Sequence, residues 1–450
     1  MHTQTVAHRT SWPDTSQRDD TGQLTIGGVA LPDLAQQYGT PLYVFDEATL
    51  RARAGEIRDI FRAAYPQSRV VYAGKAYLSP ALMRILHSEG IGLDVVSGGE
   101  IYAGLRAGVD PATMIFHGNN KSRSELEEAV TAGVGLIAVD NVHEIALLSE
   151  VAARLERRPH VVLRLNPGVD PHTHHKMRTG ATDSKFGFPV WDGQAADAAR
   201  LVVGSGLLQL AGYHAHVGSQ IFEAELVEQT LTEMLRFARQ VHESHGVAPR
   251  VIIPGGGFGV ADDASGRDVS IAAWAEAAAR TLQREAEAGG FALPELVVEP
   301  GRAIIGPAGV ALYEVGARKQ IGGTRTYVSV DGGMSDNIRP SLYGARYSAD
   351  LVNRDGADAE LETVTIAGKY CESGDVLIES IDLPVLQPGD LIALPMAGAY
   401  CMAMASNYNL APRPAAVLVT NGAARVIRRR ETYAGMLENE VDDASTGEQQ

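Results

Sequence analysis

Covalent crosslinks can do little for this chain, because its 450 residues contain only two cysteines, Cys371 and Cys401. No disulfide framework is available, which suits a reducing compartment, and a cytoplasmic location is expected. No apolar run approaches the ~18 residues of a membrane span, so no membrane role is expected. Positive charge is also scarce. Acidic residues outnumber basic ones 55 to 39, a net charge of −16, which argues against nucleic acid or an anionic membrane as a partner. The opening stretch has no apolar core of the kind a secretory signal needs. Residues 1–22 and the acidic residues 438–450 read as disordered tails.

What the chain does have is a recurring unit of short apolar run, turn and amphipathic stretch. The apolar runs cover 70–73, 92–96, 114–117, 136–139, 161–166, 209–216, 251–254 and 296–299. Helical stretches lie between them. Ser79-Pro80 reads as an N-cap with proline at the first helical position. "KSRSELEEAVTAG" opens with a capping box, Ser122 to Glu125, and stops at Gly133. Eight strand–helix units over roughly 250 residues are the arithmetic of a (β/α)8 barrel. No Gly-x-Gly-x-x-Gly turn follows the first strand, which disfavours an open doubly wound sheet. After residue 306 short β-rich runs such as "ETVTIAG" and "AAVLVTNGAARVI" take over. Segments 23–46 and 306–437 are therefore expected to form one discontinuous β-rich domain around a barrel at 47–305.

Polar residues collect at the ends of the barrel strands, where barrel enzymes place their chemistry. They include Lys75, Asp94, Ser97, the "HGNN" run, Asp140, Arg164, Asn166 and the "HAHVGS" run. "PGGGFG" at 254–259 follows the seventh strand and lets backbone N–H groups approach an anion closely. His214 and His216, two apart on a strand, face the same way. No third ligand of matching spacing makes them a metal pair, and a flat imidazole against a planar cofactor explains an inward histidine better. His172, His174 and His175 read as an exposed loop. Glu299 ends the last strand, and a buried carboxylate needs a positive or protonated partner. A lysine for covalent attachment, a phosphate cradle and an acid for a ring nitrogen are three requirements of pyridoxal 5'-phosphate. Lys75 is the candidate attachment residue.

From about residue 23 to 435 the chain resembles the diaminopimelate decarboxylases, PLP-dependent enzymes with alanine-racemase-type barrels whose wider family includes ornithine decarboxylases. "YAGKAY", "GLDVVSGGE", "HGNNKS", "KFGF", "HAHVGSQ", "GGGFG", "EPGR", "SDNIRPSLYGA", "CESGD" and "GAYC" follow in family order. The resemblance implies His216 against the pyridine ring and Ser219, Gly257, Gly301 and Arg302 at the phosphate. It implies Glu299 at the ring nitrogen and Arg302, Arg339 and Tyr343 at the substrate. It implies Cys371 as a general acid and Glu372 and Tyr400 as further contacts, these three from the neighbouring subunit of a homodimer. The implied reaction is decarboxylation of meso-2,6-diaminopimelate to L-lysine and CO2.

Charge matching agrees with that substrate. Its far end carries an ammonium and a carboxylate, which Glu372 and the pair Arg302 and Arg339 can read. The nearest rival is a decarboxylase of the same fold acting on ornithine, arginine or a carboxy-polyamine. Such an enzyme would leave these arginines unpaired. A racemase is disfavoured by "CESGD", and a non-enzymatic PLP carrier by the large second domain. One departure from the family is Met177-Arg178-Thr179-Gly180, where relatives read close to "ISTG". Another is "MAMASNYN" after "GAYC".

Overall fold

A computed structural model describes residues 11–169, 184–219, 221, 223–260, 270–356 and 358–441. The chain divides into two compact units, Leu50–Gly306 and Met1–Thr49 with Pro307–Gln450.

The first unit is a closed parallel barrel. Its strands, first to eighth, are Ser68–Ala73, Gly92–Val95, Met114–Phe116, Leu136–Val139, His160–Asn166, Gln209–His214, Val251–Ile253 and Glu295–Val298. Each pairs in parallel with the next, and the eighth closes on the first with Val298 opposite Val70. Parallel strands covered on both faces can be apolar throughout, which is why they show as unbroken runs in the sequence. Val71, Ile115, Ala138, Val162, Ile253 and Val297 belong to one buried cluster contributed by strands around the ring. The local signals act as expected. Ser79 accepts from Leu82 N–H with Pro80 next to it, and Ser122 and Glu125 form the reciprocal capping box. Several strands end one or two residues early, at Val95, Phe116, His214, Ile253 and Val298. Single bonds such as His117 N to Val95 O (2.8 Å) continue the ladder beyond them, while the polar residues there enter the loops.

In the second unit Leu42–Asp46 lies between Gly309–Ile321, antiparallel, and Ala415–Thr420, parallel. Gly309–Ile321 continues to Arg325–Val330, Leu361–Ala367 and Val376–Pro384 in one sheet. The segments on either side of the barrel in sequence thus share one core. Val44, Val310, Leu312, Ala393 and Val417 pack in it.

The expected loose arm is different from residue 11 onward. Gln17–Arg18 pairs with Leu24–Ile26. Arg18 donates to Leu351 O at 2.8 Å and pairs with Asp350 at 2.9 Å. Trp12 is 6 % exposed within the cluster that holds Leu24, Ile26 and Val352. One large aromatic in a polar segment supplies the burial that average composition hides. Most of the acidic tail, 442–450, lies outside the described residues. No helix among the described residues is long and apolar enough to cross a membrane. Trp12→Ala should destabilise this unit by about 3–5 kcal/mol, the scale for emptying a buried aromatic site. Denaturant unfolding followed in the holoenzyme checks it, and an unchanged midpoint would show the segment to be loosely attached.

Candidate active site

The carboxylate that ends the barrel sits between two imidazoles. Glu299, one residue past the eighth strand, is 5 % exposed. His117, one residue past the third strand, brings Nε2 to 2.9 Å from Glu299 Oε1. His214, at the end of the sixth strand, holds Nε2 3.2 Å from Oε2. Each carboxylate oxygen therefore has its own imidazole. The two rings lie 4.6 Å apart between centroids. Asp94, buried on the second strand, stands 3.7 Å from His117 Nε2.

Burial alone would raise the Glu299 pKa, but His117 and His214 outweigh it and hold the carboxyl well below its ordinary range. Burial also works against charge on His117, yet Asp94 and Glu299 raise its pKa. His214 goes the other way, because burial overcomes the pull of Glu299 and takes it down to about 3. The directions point to a protonated His117 against an ionised Glu299, with a neutral His214 as the second partner. These three side chains have ligand atoms within 4.8 Å of one another, close enough for a metal ion. The ion pair of His117 with Glu299 and the hydrogen bond of His214 to it account for the closeness without one.

Beside Glu299 runs the glycine loop. Gly255 and Gly257 both have φ of 85°, in the left-handed region. A Cβ on Gly256 would lie 1.9 Å from Glu299 O, and one on Gly257 2.1 Å from Gly218 O. The loops after the sixth, seventh and eighth strands therefore meet backbone to backbone. Ile221 N to Gly257 O (2.9 Å) and Glu299 N to Gly255 O (3.0 Å) tie them together. Ser219, half-buried, lies in the first of these loops. Gly256 N–H donates to His216 Nδ1 at 3.4 Å, which puts the ring proton on Nε2. Burial, then the Lys75 charge, hold His216 well below its ordinary pKa although its ring is only half-buried. His216 is thus a neutral, flat ring fixed at one edge. His214 and His216, expected on one face of a strand, take separate partners because the strand ends between them.

Lys75 occupies a single helical turn, Gly74–Ala76, directly after the first strand, and is exposed. Its charge acts on Asp94, Glu100 and His216. Gly301 packs against the same turn and the strand before it, since a Cβ there would be 3.2 Å from Ala76 Cβ and 3.1 Å from Ala73 Cβ. Arg302 follows and is half-buried. Around this centre a buried network holds the neighbouring loops. Lys121 donates to Gly118 O, Ala138 O and Glu144 Oε1 at 2.6–2.7 Å, so all three of its protons are used. Asp140 accepts from Gly187 N–H at 3.0 Å, and Arg164 lies 4.2 Å from the Phe186 ring centroid. These contacts anchor the "KFGF" segment. Residues 172–175 and the departure at 177–180 lie outside the described residues.

The remaining candidates belong to the second unit. Arg339 and Tyr343 bound a short helix, Arg339–Tyr343. Cys371 and Glu372 are exposed. Cys371 N–H donates to Asn409 Oδ1 at 3.2 Å. Asp375 accepts from Met334 N–H (2.6 Å) and Tyr370 N–H (2.8 Å), fastening the "CESGD" turn to the loop before Arg339. Tyr400 has φ of 62°, an outlier for a bulky side chain that the surrounding packing must impose.

From the sequence, Asp94 and His117 are no more than polar strand ends, and His214 is read only with His216 as an inward-facing pair. The structure makes them the partners of Glu299. A buried, ionised carboxylate offers a seat for a protonated ring nitrogen, and beside it runs a glycine loop whose Gly255 and Gly257 hold left-handed φ and whose neighbours leave no room for a Cβ at 256 or 257. On these two observations the residues present fit pyridoxal 5'-phosphate.

Comparison with known proteins agrees. Residues 52–306 match the family described as pyridoxal-dependent decarboxylase, pyridoxal binding domain. The diaminopimelate decarboxylase of Bacillus subtilis is 45% identical over 419 residues, covering 93% of this chain and 95% of that one. That of Mycobacterium tuberculosis H37Rv is 42% identical over 439 residues, 96% and 97% of the two chains. The crystal structure of diaminopimelate decarboxylase from M. jannaschii in complex with L-lysine superposes with a TM-score of 0.88. It is 31% identical and covers 96% of this chain and 99% of that chain. With the barrel, the carboxylate seat and these relatives in agreement, the chain belongs to the pyridoxal-dependent decarboxylase family, in its diaminopimelate decarboxylase branch.

Proposed function

We propose that the chain decarboxylates meso-2,6-diaminopimelate to L-lysine and CO2, the last step in making lysine, with pyridoxal 5'-phosphate as cofactor. The observation that carries this reading is Glu299, kept ionised in a buried site by one histidine on each oxygen. When bound, the cofactor supplies an electron sink for the pair left at the α-carbon as CO2 departs. Glu299 holds a proton at the ring nitrogen, which makes that sink effective. Lys75 would hold the cofactor covalently through its amine. His216 presents its neutral face to the ring. Ser219, Gly257, Gly301 and Arg302 bind the phosphate, with Tyr400 as a further contact.

Substrate choice rests on the far end of the molecule. Arg302 and Arg339 bind its carboxylate, Glu372 binds its ammonium, and Tyr343 and Tyr400 line the site. Cys371 delivers a proton to the α-carbon. Cys371 and Glu372 are exposed in the single chain and so accessible to a second protomer. That exposure supports a homodimer in which one protomer supplies Cys371, Glu372 and Tyr400 to the site built around its partner's lysine.

The purified holoenzyme should release CO2 and L-lysine in equal amounts from meso-diaminopimelate and should leave ornithine, arginine and carboxy-polyamines untouched. Faster turnover of one of those amines would overturn the substrate assignment. The shared site has its own test. Lys75→Ala and Cys371→Ala should each be nearly inactive alone. After subunit exchange in an equal mixture, half the dimers are mixed, and each has one intact site. Activity should recover to about a quarter of wild type if the two sites act independently. No recovery, with exchange confirmed by a tag on one variant, would place both residues in the same protomer's site.

A further inference from the structure

We propose that Tyr347 is a positioning residue for substrate recognition, setting the guanidinium of Arg339 through a directed hydrogen-bond chain that ends on Cys401 and Asn337. The proposal rests on the reading of Arg339 as the residue that binds the distal carboxylate. Arg339 Nη1 donates to Tyr347 Oη at 2.5 Å, and the guanidinium carbon lies 5.5 Å from the Tyr347 ring centroid. Tyr347 Oη in turn lies 3.3 Å from Cys401 Sγ. Cys401 is fully buried, and its Sγ meets Asn337 Oδ1 at 3.4 Å.

The donors can be ordered. A guanidinium has protons to give and no lone pair to accept with, so the phenol oxygen accepts from it. The phenol proton is then free for the sulfur, and the thiol proton has Asn337 Oδ1 at 3.4 Å and Ala399 O at 3.7 Å as acceptors. Every link points away from Arg339. One consequence concerns the edge of the guanidinium that remains. Nη1 is turned back into the protein, whereas Nε is buried and has no hydrogen-bond partner among the described residues. Nε and Nη2 form the side-on edge that pairs a carboxylate with two parallel bonds. Tyr347 thus fixes Nη1 and with it the orientation of the guanidinium plane. Tyr400, the residue before Cys401, holds a left-handed φ of 62°.

The chain joins residues that no local motif connects, since Tyr347 and Cys401 lie 54 positions apart. It also separates two properties that mutation can resolve. Phenylalanine at 347 keeps the ring against Arg339 and removes only the oxygen. Charge-assisted hydrogen bonds are strong enough that their loss at a binding residue is felt about tenfold or more.

The test uses holoenzymes of wild type, Tyr347→Phe, Arg339→Ala and the double variant. Steady-state kinetics with meso-diaminopimelate are combined with the visible spectrum of the bound cofactor. Tyr347→Phe should raise KM about tenfold or more while kcat stays within about twofold and the spectrum is unchanged. In the Arg339→Ala background the same substitution should add less than about twofold, because the two residues act as one unit. Cys401→Ser, which keeps a donor and an acceptor, should raise KM less than Tyr347→Phe does. If Arg339→Ala raises KM but Tyr347→Phe does not, the positioning role is wrong. An equal rise from Tyr347→Phe in both backgrounds also overturns it, since the effect would then not pass through Arg339. If Arg339→Ala leaves KM unchanged, the reading of Arg339 itself fails and the proposal falls with it.

Discussion

A carboxylate with almost no solvent is the constraint around which the barrel unit is arranged. An isolated charge of this kind is too costly to bury, and it would normally take up a proton. Glu299 keeps its charge because His117 and His214 arrive from two other strands and occupy one oxygen each. Asp94 then supports the charge on His117 from behind. Removing either imidazole would leave part of the penalty uncompensated, so the four residues stand or fall together. Only a closed barrel gathers the ends of strands two, three, six and eight within a few ångströms. The fold is the device that makes this carboxylate possible.

The loops follow from the same requirement. For the strand ends to converge, their backbones must approach closely, and glycine is the residue that allows it at 256 and 257. That approach also turns Gly256 N–H onto His216 and fixes its tautomer. Backbone packing, the state of a ring-facing histidine and the ionisation of Glu299 are therefore parts of one arrangement. The second unit solves a parallel problem by different means. It fixes Arg339 Nη1 on Tyr347, which in turn meets Cys401, through neutral hydrogen-bonding groups.

Much of this was readable from residues alone, for physical reasons. The barrel strands are apolar on both faces, so they announce themselves as runs, and Ser79-Pro80 or Ser122 with Glu125 mark the helix starts that follow. Lys75 could be located because it falls between two such signals. The partners of Glu299 could not. A histidine at a strand end carries no mark of which carboxylate it will meet, and that depends on ring closure and on where each strand stops. The pair His214 and His216 shows the sensitivity: a strand two residues shorter than expected sends them to different partners. Trp12 was hidden by its polar neighbours, and Tyr347 by a contact 54 residues away.

The charge on Glu299 depends on its two histidines, and their protonation states test it most directly. Nitrogen NMR on histidine-labelled holoenzyme, assigned with His117→Asn and His214→Asn, reads them across pH. Because its pKa is raised above 6.5, His117 should remain an imidazolium beyond the pH at which an ordinary histidine has half lost its proton. His214 should stay neutral as the pH falls below 6.5, toward its value of about 3. If the two rings instead titrate together near 6.5, with neither state displaced, Glu299 is not held between a cation and a neutral donor, and the account of the site is wrong.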